Sequence, residues 1–169
     1  MNAKTPFDFN AYLASLCSSN KLCKQNAFHF CTCTGFSGLE GVLESFQTKK
    51  AFLCVDEVTT GQTVKHGGAW FQRRTVTVFI LHRCKFGDEP DRMEKLSLCR
   101  EILRQLQSAF IIHEEDLKNE LIYLQLDNIP TTEIGAHFAN GCTGLYFMLN
   151  IDEPTDLSYD AAEWDTTGA

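Results

Sequence analysis

Positive charge is almost absent from the last third of this chain. Residues 113–169 carry Lys118 alone against twelve acids, while residues 1–112 carry fourteen Lys and Arg against ten Asp and Glu, within a net charge of -7. So acidic a segment argues against a nucleic-acid contact there. Two regions of opposite sign suit a head-to-tail contact with a neighbouring chain. Long apolar runs are absent as well. None approaches the roughly 18 residues of a membrane span, and the polar start of MNAKTPFDFNAYLASLCSSNK makes a poor export signal. The expectation is a soluble protein, cytoplasmic in the producing cell, with no membrane partner. There is no low-complexity tract, internal repeat or linker. A single domain over 1–169 is expected, with a loosely ordered C-terminal end from about 165.

The short motifs that carry chemistry are missing too. There is no CxxC, no HExxH, no G-x-x-x-x-G-K-[ST] and no G-x-S-x-G. The histidines are scattered: His66 in a glycine-rich stretch, His82 in a strand, His113 at a helix end, His137 in a loop. Eight cysteines remain, with no second pair to complete the four ligands of a closed zinc site. They are expected to be free thiols, acting as small buried hydrophobes.

The stretch His29–Gly35, HFCTCTG, poses the question most sharply. As a strand it places His29, Cys31 and Cys33 on one side and Phe28, Phe30 and Thr32 on the other. That is the pattern of a half-buried strand, so no metal, cofactor or catalytic residue is assigned.

The rest of the chain alternates between helical and strand patterns. Asp8 or Asn10 caps a helix over about 9–20. Gly35–Gln47 offers a weak helix with Leu39, Leu43 and Phe46 on one face. Lys50–Thr59 reads as a strand, Thr60–Gly68 as a flexible polar connection or hairpin, and Ala69–Cys84 as a central strand with Val76, Val78, Ile80 and His82 on one face. Asp88 and Pro90 open the best helix, whose stripe is Met93, Leu96, Cys99, Leu103, Leu106 and Phe110. An acidic break at His113–Asp116 ends it. Leu121–Asp127 and Gly141–Asp152 are strands, with a loop or edge strand around Pro130 between them. Hairpin-scale links and one helical crossover predict an α+β fold. Its sheet is mostly antiparallel or mixed, with one long helix and one or two shorter helices on one face.

The most binding-like group is Trp70, Phe71, Arg73 and Arg74, cationic and aromatic beside a flexible stretch. Glu153, Asp156 and Asp160 offer the complementary charge. These seven residues are the expected interface.

Two stretches together, TVTVFILHRCKFGDEPDRMEKLSLCREILRQL and GLYFMLNIDEPTDLSYDAAEW, resemble small structural proteins of tailed bacteriophages and prophages, in particular the tail-terminator or neck group. The resemblance spans about residues 50–165. It implies a compact α+β subunit, not an enzyme, that assembles into a ring at the end of the tail tube, contacts other structural proteins and ends in the virion. Two alternatives stand beside it. A small-molecule or peptide-binding module would have an apolar pocket under Gly38–Phe46. A Cys-dependent enzyme would pair Cys54 or Cys142 with a histidine.

Overall fold

The computed structural model describes residues 6–138 and 141–164, so the end from about 165 and the side chain of His137 lie outside the described residues. Two α-helices come first, α1 (Phe9–Ser19) and α2 (Lys21–Gln25). The Asp8 carboxylate accepts from the Ala11 N–H at 2.9 Å, supplying the cap the sequence predicts. Asn20 ends α1 and starts α2, its side-chain oxygen accepting from Cys23 N–H.

Strand β1 (Phe28–Cys33), helix α3 (Gly35–Ser45) and strand β2 (Ala51–His66) form a crossover, because β1 and β2 are parallel. The weak helix of the sequence is therefore a real connector. β3 (Ala69–Arg83) returns antiparallel to β2 through a two-residue turn. Gly67 and Gly68 have φ of 56° and 88°, the left-handed pair that a tight hairpin needs. The stretch Thr60–His66, expected as a flexible connection, is instead regular strand. Its Thr and Val residues and its complete ladder to β3 outweigh its polarity.

Helix α4 (Glu89–Asn119) crosses to β4 (Tyr123–Gln125), followed by β5 (Thr131–Phe138) and β6 (Cys142–Pro154). The expected break at His113–Asp116 does not occur. Leu117 continues the buried stripe seven residues after Phe110, Tyr12 Oη lies 3.1 Å from His113 Nδ1, and Glu114 pairs with Lys118 at 2.8 Å. Met93, assigned to the stripe, is 40% exposed, and Ile102 is buried in addition to the predicted residues. The strand expected over Leu121–Asp127 shrinks to three residues. Pro130 divides this edge, so β4 pairs the end of β6 and β5 its beginning.

The sheet is mixed, in the order β1-β2-β3-β6-β4, with β5 beside β6. Alternation along it is as the sequence predicts. Leu53, Val55, Val76, Val78 and Ile80 face α1, α2 and α4 together with Phe147 and Leu149; Phe52, Cys54, Phe79 and Leu81 face α3 with Cys142 and Ile134. The long helix and the first two helices thus share one face, while α3 packs on the opposite one. No helix among the described residues is long and apolar enough to cross a membrane.

At Gly144, φ is 150°, and a Cβ would meet the Ile80 carbonyl oxygen at 2.0 Å. This glycine faces Leu81 of β3 and Ile134 of β5 in register. Gly144→Ala is expected to cost about 3 kcal/mol or more, lowering the thermal midpoint by about 10 °C; calorimetry would measure it. His82 is buried and donates from Nδ1 to the Arg83 carbonyl at 2.7 Å. Burial, helped by Lys95 and Lys50, holds its pKa below the ordinary value. The unfolded chain therefore takes up the proton first. Stability is full above about pH 6.5 and falls as the pH drops from there. His82→Gln is expected to flatten that fall in urea titrations between pH 7 and 5, leaving a smaller slope from His29, whose pKa burial also lowers.

Candidate interaction surface

Strands β2, β3 and β6 run well past the end of α3, so the outer half of that sheet face has no helix on it. Its residues are polar and aromatic. Phe71, Arg73 and Thr75 of β3 lie there, with Asp152 and Asn150 of β6 and Tyr123 and Gln125 of β4. Asp152 is 2% exposed, a buried carboxylate on an otherwise open face. Arg73 holds it in a fork, Nε to Oδ1 and a terminal nitrogen to Oδ2, both at 2.7 Å; Gln125 Nε2 donates to Oδ2 at 2.9 Å. His66 Nε2 stands 3.9 Å from the same oxygen. The carboxylate raises the Arg73 pKa further. Thr75 and Asn150 share a 2.6 Å side-chain hydrogen bond, and the Phe71 ring meets the Tyr123 ring edge to face.

The four expected interface residues of β3 divide between the two faces, as alternation along a strand requires. Phe71 and Arg73 belong to the open face. Trp70 and Arg74 lie on the other. Trp70 is 41% exposed, carries the Lys65 ammonium 5.1 Å above its ring, and accepts from the Thr155 N–H through its carbonyl at 3.0 Å. Arg74 pairs with Glu153 at 3.4 Å. Between them the two clamp the Phe7 peptide: Arg74 donates to its carbonyl, and Glu153 Oε1 accepts from its N–H at 2.8 Å. Arg74 and Glu153, expected on opposite patches of different chains, thus meet within one chain and fasten the segment before α1. Asp156 and Asp160 are exposed, and their side chains accept from Ser158 and Ala162 N–H.

The HFCTCTG segment is β1, with the predicted sides. Cys31 is the register partner of Cys54, and the Cys54 thiol lies within hydrogen-bonding reach of the Cys31 and Cys33 sulfurs. Those contacts and burial hold Cys54 protonated, and the same hydrogen bond draws Cys33 down. Cys17 and Cys23 form a second thiol pair between α1 and α2. Burial pushes Cys99 up to about 12 and Cys142 to about 11. Among the described residues, no three His, Cys, Asp or Glu side chains are placed to hold a metal ion. The space under α3 is filled by Leu39 and Leu43 against Phe52, Cys54, Phe79 and Leu81.

Asp152 itself was not among the expected residues. Its sequence signal is a charge near the C-terminal end of an apolar strand. Asp152→Ala is expected to destabilise the fold by about 2–3 kcal/mol, below the full cost of breaking a buried pair because Arg73 keeps some solvent access. Arg73→Lys is expected to lose most of the same amount, since an ammonium cannot fork onto a carboxylate. Urea unfolding of both variants would check this. No protein-family model matches the chain, and no curated protein is similar to it.

Proposed function

We propose that this chain is a non-enzymatic assembly subunit that works through its outer surfaces, as the ring-forming tail-terminator and neck proteins of tailed phages do. The observation that carries this reading is the open half of the sheet face. Strands of 16, 15 and 13 residues present an aromatic and ion-paired surface beyond the reach of α3. Its aromatic rings, Phe71 and Tyr123, and its arginine, Arg73, are of the residue types enriched in interfaces, and regular strands hold them in place for a rigid neighbour.

Two features support self-association. Exposed acids concentrate after β6, at Asp156, Asp160 and Glu163. Of the six described lysines without an acid partner, four, Lys21, Lys24, Lys49 and Lys50, lie toward the β1 side of the sheet, while Lys65 sits over Trp70 and Lys85 follows β3. A neighbour placed head to tail brings these opposite charges together, and a ring follows where the rotation closes. Other structural proteins are further partners in this reading, and the virion is the final location.

Native mass measurement across protein concentration and salt is the test. We expect one defined multimer at low salt that dissociates as ionic strength rises. A monomer at every concentration in low salt would rule the reading out.

A further inference from the structure

The two edges of the sheet are guarded very differently. The β4–β5 edge is short and interrupted by Pro130, and it carries Asp127 and Glu133 beside it. Those are the usual protections against unwanted strand pairing. The β1 edge has none. Phe28–Cys33 pairs with β2 on one side only, and it contains no charge and no proline. Next to it runs a hollow of about 340 Å³, with Ala14 and Cys17 of α1 on one wall, Cys23 and Lys24 of α2 at one end, and Phe28 and Phe30 of β1 on the other wall. An open strand edge facing a helix across an apolar groove is the geometry that accepts an extended peptide as an added strand.

Charge narrows the choice of peptide. Lys24 stands at the Phe28 end of the groove. Lys49 and Lys50 precede Ala51, the register partner of Phe28, and Lys49 lies close enough to His29 to oppose its protonation. Among the described residues, the segment Thr155–Asp160 matches. It lies outside every helix and strand, is exposed from Asp156 onward and contains no proline. Leu157 and Tyr159, 53% and 70% exposed, alternate with Asp156, Ser158 and Asp160. Its apolar side chains would enter the groove while its carboxylates meet the lysines. Pairing over the whole segment frees the Thr155 N–H from the Trp70 carbonyl, the Ser158 N–H from the Asp156 side chain, and the Tyr159 ring from its stack on Trp164.

The segment cannot reach its own groove. Pro154 is in register with Phe71, and Phe28 is in register, through Ala51, with His82. The groove's start is therefore about 36 Å along the sheet and about 14 Å across it. Six extended residues span about 20 Å. We infer that residues 155–160 of one copy add as a strand to the β1 edge of the next copy, in the groove between β1 and α1. This contact rests on the self-association proposed above and gives it a specific partner surface.

The experiment replaces Tyr159 with the photo-cross-linker p-benzoylphenylalanine in the full chain. That chain is mixed with an equal amount of isotope-labelled wild type, irradiated, and the joined peptides are identified by mass spectrometry. Cross-links to labelled residues of α1, α2 or β1 are expected. Lys24→Glu with Lys49→Glu in the labelled chain is expected to lower their yield about tenfold, and Asp156→Lys with Asp160→Lys in the photoreactive chain to restore it. Both sets lie on the surface and leave the core untouched. Cross-links confined to one chain, cross-links landing on residues 65–74, or a yield indifferent to the charge reversals would overturn the inference. The native mass separates the two readings: a multimer with cross-links elsewhere removes this contact alone, whereas a monomer without cross-links between chains removes both.

Discussion

The structure depends on a mismatch of lengths between the sheet and its two covers. α4, with 31 residues, is about 46 Å long and covers its face as far as Ile151, leaving Thr63, Lys65, Trp70 and Gln72 exposed at the hairpin end, whereas α3, with 11, is about 16 Å long. The strands between them reach about 50 Å. One face is therefore sealed from Cys99 to Leu117 and Ile151, and the other is sealed only as far as Phe79 and Cys142. Beyond α3 the sheet has to satisfy its own polar groups. The fork from Arg73 to Asp152, the bond from Gln125 and the Thr75–Asn150 pair do this within the strands, so a buried carboxylate sits on a face that no helix shields.

The same geometry places the ends of the chain. Arg74 and Glu153 hold the backbone of Phe7 where β3 begins and β6 ends, which fixes the approach of α1 to the sheet. The segment after Pro154 leaves beside Trp70, at the outer end of the sheet and far from β1. Asp156, Asp160 and Glu163 thus gather at one end of the molecule, and Lys21, Lys24, Lys49 and Lys50 lie toward the β1 side, with Lys65 alone among the acids. The separation of sign along the sequence becomes a separation in space because β6 lies two strands from β2, and β1 lies outside β2. This polarity, together with one guarded and one unguarded sheet edge, favours a directional contact between copies over a symmetric one.

Much of the fold was legible in the residues alone. Period-two alternation located the two faces of β1, β2 and β3 correctly, down to His29, Cys31 and Cys33 on one side. Period-three-and-four spacing located α4 and its buried stripe, and Asp8 and Asp88 marked their caps. These signals are local, because side-chain direction follows from backbone geometry a few residues at a time. The acidic turn at His113–Asp116 misled for the same reason: local charge hid a helix that Leu117 and the Tyr12–His113 contact sustain from a distance.

What the amino acids determined by themselves, then, was the type of each element, the side each residue takes, and the uneven charge. Only the tertiary structure decided the parallel pairing of β1 with β2, the placing of α3 opposite α4, the meeting of Arg73 with Asp152 across seventy-nine residues, and the open edge of β1. Each of these depends on which strands become neighbours. Neighbours are chosen by the burial of whole faces and the closure of long loops, and no short window of sequence contains that choice.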